Sequence, residues 1–243
     1  MRDQLVLLPG WGLGVGPLEP LAAALRALDP QLEVVLEPLP SGLGADLQGW
    51  LDALDARLPA HAWLAGWSLG GMLAAELAGR RGEGCRGLIG LASNLCFVAR
   101  EDWAAAMPAA DFSAFAESCR ANPQATLQRF GLLCAQGAAT GRALARQLNA
   151  LAPASTGAEL SASLQLLAQL DTRQALQAFK GPQLHLFAAQ DALVPSAAAE
   201  QLARLMPERH ISLIEQASHA FVLEDPQGVA AAIQAFMHER TDD

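Results

Sequence analysis

The sequence predicts an α/β fold: a mostly parallel, doubly wound sheet with a helical insert placed before the last two strands. Three observations carry this. Short, nearly continuous apolar runs recur, each closed by glycine or proline, as expected of strands buried on both faces. Stretches rich in Ala and Leu separate them and read as crossover helices. The rhythm then stops after the fourth run and resumes only past Lys180-Gly181-Pro182.

The first run is 5–8, ended by Pro9-Gly10 and followed by a helical stretch at 18–28. The second is 32–36, closed by Pro38 and Pro40, with a helix expected over 44–58. The third is 62–65, closed by Gly66, and leads into a helix over 69–79; the fourth is 87–91. From 97 to 170 nothing reads as a strand, and Pro108, Pro123 and Pro153 punctuate helical segments. Strand 184–188, helix 197–205, strand 211–214 and helix 227–239 follow, with 239–243 expected to fray. The expected division is therefore a core of 1–96 and 172–243 carrying a helical cap, 97–171.

Composition narrows the function. A chain of 243 residues suits one domain, and 52% hydrophobic with 17% charged residues excludes disorder. The net charge of −9 argues against a general nucleic-acid binder. Lys180 is the single lysine and no Gly-Lys-Ser/Thr occurs, which removes a Walker phosphate loop. Cys85, Cys96, Cys119 and Cys134 form no C-x-x-C pair, so neither zinc nor a disulfide framework is expected. Met1-Arg2-Asp3-Gln4 does not open a signal peptide, and no apolar stretch reaches the ~18 residues of a membrane span. A cytoplasmic monomer with no bound metal or organic cofactor is expected.

The chemistry gathers in three places. Gly66-Trp67-Ser68-Leu69-Gly70-Gly71 is a G-x-S-x-G between a strand and a helix, where a sharp turn lifts the serine above the sheet edge. The blander reading is a glycine-rich turn whose serine only caps the helix. A serine nucleophile needs a base and an orienting acid, in the chain order Ser, acid, His. Among the five histidines, His61 precedes Ser68, His185 sits inside an apolar strand as a core residue, His210 looks exposed, and His238 lies in the last helix. His219 follows the last strand, where open α/β sheets place their sites. Asp191 follows the preceding strand, whereas Asp171 and Asp225 do not directly follow one. A turn or capping role is the alternative for Asp191. The oxyanion donors expected are the amides of Leu69, next to the nucleophile, and Trp11, in the glycine-rich loop after the first strand. That loop does not fit G-x-G-x-x-G, so a dinucleotide site is disfavoured.

Leu-Leu-Pro-Gly-Trp-Gly, Gly-Trp-Ser-Leu-Gly-Gly, Asp-Ala-Leu-Val-Pro and Ser-His-Ala-Phe together resemble the α/β-hydrolase superfamily over essentially the full chain. More narrowly they resemble its methyl ester esterases acting on carrier-bound pimeloyl chains in biotin synthesis. The resemblance implies Ser68 as nucleophile, Asp191 as acid and His219 as base. It implies oxyanion and substrate contacts at Trp11 and Leu69, and an acyl-carrier-protein-bound substrate. Two departures stand out: Pro9-Gly10 replaces the usual His-Gly, and Ala220-Phe221 replaces Ala-Pro-Phe after the histidine.

The insert adds its own signal. Residues 118–158 hold no Asp or Glu but four arginines, Arg120, Arg129, Arg142 and Arg146, a local reversal of an acidic chain. Arg142 and Arg146, four apart, share a helix face. They are either an ordinary solvated surface or a patch for an acidic or phosphate-bearing partner, since guanidinium forks suit phosphate. The resemblance implies that Arg129, Arg142 and Arg146 contact the carrier. Phe130, Leu132, Leu133 and Met107 are candidates to line an acyl tunnel, or are plain core. The function expected is a serine carboxylesterase. Another ester, lactone or thioester hydrolase on the same scaffold, or a non-catalytic ligand receptor, are the alternatives.

Overall fold

The computed structural model describes residues 3–239; residues 240–243, expected to fray, lie outside the described residues. The first half alternates β1 (Gln4–Leu8), α1 (Glu19–Leu28), β2 (Glu33–Leu36), α2 (Leu47–Asp55), β3 (Trp63–Trp67), α3 (Leu69–Arg81) and β4 (Gly87–Leu91). Four helices then follow without a strand: α4 (Ala109–Ala121), α5 (Pro123–Cys134), α6 (Gly141–Leu151) and α7 (Gly157–Gln169). The chain returns through α8 (Arg173–Ala178), β5 (Gln183–Ala188), α9 (Ala197–Leu205), β6 (His210–Ile214), α10 (Phe221–Glu224) and α11 (Pro226–Glu239).

The six strands form one sheet in the order β2-β1-β3-β4-β5-β6, and every neighbouring pair is parallel. The sheet is doubly wound, because the chain moves outward from β1 to β2 and then, from β3, in the opposite direction. With right-handed crossovers this puts α1 and α3 on opposite faces. α11 joins α1, while α2 and α8 pack on α3. The central strands β3, β4 and β5 are buried along their whole length, which is why they read as unbroken apolar runs. The edge strands β2 and β6 are partly exposed and carry polar residues.

Several boundaries differ from the sequence expectation. β3 does not stop at Gly66 but continues to Trp67, with Gly66 paired to Gly90 and Trp67 to Leu91. The helix expected over 44–58 shrinks to Leu47–Asp55, because the Asp46 side chain accepts from the Gln48 amide and fixes the start there. His210, expected to be exposed, lies half-buried in β6 with its ring 5.1 Å from that of Phe236.

His185 is the core histidine expected. It is buried, with Nε2 3.3 Å from Gln183 Oε1. Burial, helped by the Arg209 charge, pushes its pKa from 6.5 down to about 4. The unfolded chain therefore binds a proton between those values that the folded chain refuses. Stability is lost as pH falls from 6.5 towards 4. Thermal unfolding of His185→Gln is expected to show a flatter pH dependence across that window; an unchanged slope would contradict this.

The two ends of the helical insert meet beside α3. Cys96 and Asp171 form an isolated antiparallel bridge. Asp171 accepts from Arg173 Nε at 2.8 Å and Nη2 at 2.6 Å, which holds its carboxyl down to about 2. Arg173 Nη1 also reaches Asp102 at 2.7 Å. Asn94 Oδ1 accepts from Trp103 Nε1 at 3.0 Å, and Asn94 Nδ2 donates to the Ala105 carbonyl at 2.8 Å. Polar bonds thus hold the two ends of the four-helix stretch, buried at Asn94 and exposed at Asp102.

Candidate active site

The strand order reverses between β1 and β3, and in such sheets the crevice at the carboxyl ends of those strands is the place for a site. The loop after β1 brings Pro9, Gly10 and Trp11 there, and the turn after β3 brings Ser68.

Ser68 sits at φ 55°, ψ −119°, a strained conformation for a residue with a side chain. The neighbouring glycines show what permits it. A Cβ on Gly66 would run into the Gly70 backbone, and one on Gly70 into the carbonyls of Leu8 and Pro9. Strand and helix therefore touch backbone to backbone, and the serine is carried out on the bend. The Ser68 amide donates to Leu91 O at 2.8 Å, and its carbonyl accepts from Gly71 N at 2.9 Å. Ser93 Oγ, at the end of β4, donates to the same carbonyl at 3.1 Å. The strained turn is thus fixed by bonds on both sides.

Asp191 and His219 are brought together across 28 residues of chain. Nδ1 of His219 lies 2.7 Å from Asp191 Oδ2, and both side chains are buried. The other carboxylate oxygen, Oδ1, accepts from the amides of Leu193 at 2.8 Å and Val194 at 2.9 Å. The acid is locked by its own loop and its free oxygen faces the imidazole. His219 Nε2 is buried without a hydrogen-bond partner. A buried nitrogen left in that state is ready to accept or deliver a proton. Asp171 is engaged by Arg173, and Asp225 accepts from Gly228 N at the start of α11, so neither serves the imidazole.

Trp11 is wholly buried, its Nε1 donating to Leu160 O of α7 at 3.0 Å. Its ring packs edge-on against Phe130 of α5, centroids 4.9 Å apart. The main-chain amides of Trp11 and Leu69 are engaged in none of the recorded hydrogen bonds among the described residues. Two such donors flanking a strained serine suit an oxyanion.

Trp11, Phe130, Met107, Leu133, Phe97 and Leu193 line part of a small, wholly apolar pocket of about 10 Å³. That is room for about one water molecule, so these residues do not form an open tunnel. Leu132 is not among them: it is 55% exposed on the outer face of α5. An open groove of about 180 Å³ runs beside Pro9 and Gly10, between the 38–41 loop and the 153–155 linker. Gly10, in its wall, has a Cα whose added Cβ would stand 3.5 Å from Ser68 Cβ.

Arg129, Arg142 and Arg146 are all exposed. None takes part in an ion pair among the described residues; Arg129 Nη2 makes a 3.3 Å bond to Thr126 Oγ1. Leu144, Ala145 and Leu148 turn inward on α6, which leaves Arg142 and Arg146 on its solvent side.

Sequence reasoning missed two contacts in the base loop. The Ala220 amide donates to Cys134 O of α5 at 3.1 Å, tying the insert to the loop. Trp67 Nε1 donates to the His219 carbonyl at 2.8 Å. The Cys134 thiol beside this loop is held protonated, because burial pushes its pKa well up and the Asp191 charge adds to it.

The sequence matches the Alpha/beta hydrolase family over residues 5–232. The chain belongs to that family. A pimeloyl-[acyl-carrier protein] methyl ester esterase from Aromatoleum aromaticum is 38% identical over 248 residues, covering 96% of this chain and 97% of that protein. The biotin biosynthesis bifunctional protein BioHC from Cellvibrio japonicus is 40% identical over 242 residues, covering 97% of this chain. The chain spans about half of that larger protein, 47% of its length. Among solved structures, an esterase from Exiguobacterium antarcticum superposes with a TM-score of 0.82 at 16% identity, covering 96% of this chain and 91% of that one. No helix among the described residues is long and apolar enough to cross a membrane.

Proposed function

We propose that this chain is a serine carboxylesterase that hydrolyses the methyl ester of a pimeloyl chain carried on an acyl carrier protein, freeing the carboxylate for biotin synthesis. The observation that carries the reading is Ser68 on its strained turn with the buried Asp191–His219 pair at 2.7 Å. Relatives of that name over nearly the full chain support the substrate.

Ser68 Oγ attacks the ester carbonyl as its proton passes to His219 Nε2, and Asp191 holds the imidazolium. The Leu69 and Trp11 amides receive the oxyanion. His219 returns the proton to the departing methoxide, and methanol leaves an acyl-Ser68 ester. Water, deprotonated by His219, attacks that ester and releases the acid and the serine. Each step passes its proton through His219, and none calls for a metal or an organic cofactor.

Residues 97–171 act as the cap. The groove beside Gly10 takes the linear acyl chain towards Ser68, and Phe130 and Trp11 form an apolar wall on the insert side of the elbow. The carrier docks on Arg129, Arg142 and Arg146. Three exposed guanidinium groups without an acidic partner in an acid-free stretch suit an anionic protein. Arg142→Glu with Arg146→Glu is expected to raise KM for the carrier-linked ester about tenfold or more, with turnover of free dimethyl pimelate unchanged. Equal kinetics on the carrier-linked ester would remove the docking role. Labelling of Ser68 by a fluorophosphonate separates this reading from a non-catalytic receptor, which would leave the serine unmodified.

A further inference from the structure

Trp67 occupies the variable place in G-x-S-x-G, between Gly66 and Ser68, and nothing in the reaction asks for a particular side chain there. It is nevertheless an indole that is 1% exposed and touches three of the four loops of the site. It is joined covalently to Ser68, after β3. Its Nε1 donates to the His219 carbonyl, after β6, at 2.8 Å. Its ring lies 5.7 Å from the imidazole, centroid to centroid, tilted by 40°. On the other side the ring lies against Gly10, after β1, where an added Cβ would come within 3.3 Å of Trp67 Cε3. These loops leave three different strands, and β6 is not a neighbour of β1 or β3 in the sheet.

We infer that Trp67 is a positioning residue, whose indole N–H sets the place of His219 relative to Ser68. This rests on the Ser68–His219–Asp191 reading and deepens it. The rest of the base loop is held elsewhere. Ser218 is bonded through N and Oγ to Glu224 Oε2 at 3.0 and 2.8 Å, and Ala220 N to Cys134 O. Among the recorded hydrogen bonds, the carbonyl of His219 itself is taken only by Trp67. Asp191 fixes the tilt of the imidazole through Nδ1, but a single bond to a side chain leaves the ring free to swing about it. The carbonyl bond fixes the backbone from which the ring is hung. Because the donor is the residue next to the nucleophile, any shift of the elbow carries the base along with it.

Core packing alone would also bury a tryptophan, so the test must separate the N–H from the ring. Trp67→Phe removes the donor and strands a buried carbonyl. Trp67→His keeps a donor, since the five-membered histidine ring can place Nε2 where the indole places Nε1. Both variants are compared with wild type and Ser68→Ala in kcat, KM and thermal unfolding. Trp67→Phe is expected to lose about tenfold or more in kcat with KM little changed, since about 1.4 kcal/mol is a factor of ten in rate. Trp67→His should recover part of kcat whatever its melting temperature. Wild-type kcat in Trp67→Phe, with Ser68→Ala inactive, would overturn the positioning role alone. So would a Trp67→His that falls below Trp67→Phe in kcat while folded. An active Ser68→Ala would overturn the catalytic reading together with it.

Discussion

Ser68→Ala is expected to lower kcat/KM on the carrier-bound methyl ester by about 10,000-fold or more, while the protein folds as before. The serine is 4% exposed and its hydroxyl makes no recorded bond on which the fold depends; the bonds that shape the turn use its backbone. Removing the oxygen removes the only nucleophile the mechanism supplies. What remains is the oxyanion site and substrate binding, worth a residual acceleration over water. Alanine at φ 55° is no better accommodated than serine, so the strain of the elbow stays. Steady-state kinetics with a matched unfolding curve checks this. A loss of less than about a hundredfold would mean that another group attacks the ester. Cys134, whose carbonyl accepts from the base loop, has a buried thiol that is held protonated and is a poor substitute.

Asp191→Asn is expected to cost about 1,000- to 10,000-fold in kcat near neutral pH, with KM little changed. The reason lies in the two jobs of this carboxylate. Oδ1 accepts two backbone amides of its own loop, and Oδ2 accepts the His219 Nδ1–H. An asparagine keeps its oxygen on the two amides and turns its NH2 towards the imidazole. Nδ1 must then accept, which moves the ring proton to Nε2 and leaves no lone pair for the serine proton. The substitution is nearly isosteric, so the melting temperature should change little. Activity within tenfold of wild type would show that the Asp191 contact shapes the loop without serving the base.

Much of this was legible in the sequence because the physics is local or periodic. The four inner strands read as apolar runs since both their faces are covered. Ser68, Asp191 and His219 could be singled out as candidates because each follows a strand. The end of β3 was misread for an instructive reason. Gly66 looks like a stop signal, but its role is to let the helix approach the strand, so the ladder runs on past it. In the insert, Ala and Leu occupy so many positions that the buried face cannot be read from spacing. Leu132 and Leu133 are adjacent, and only Leu133 faces inward. The hydrogen bond from Trp67 to His219 spans 152 residues, and no local pattern announces it.

The central claim is that Ser68 opens the methyl ester and leaves the link to the carrier intact. The direct measurement is the mass of a methyl-pimeloyl carrier protein after incubation with the enzyme. The account predicts a carrier that has lost the methyl group, retains the pimeloyl chain with a free carboxyl, and appears with an equal amount of methanol. A carrier stripped of the whole acyl chain, or one left unchanged by an enzyme whose Ser68 still reacts with fluorophosphonate, would contradict it.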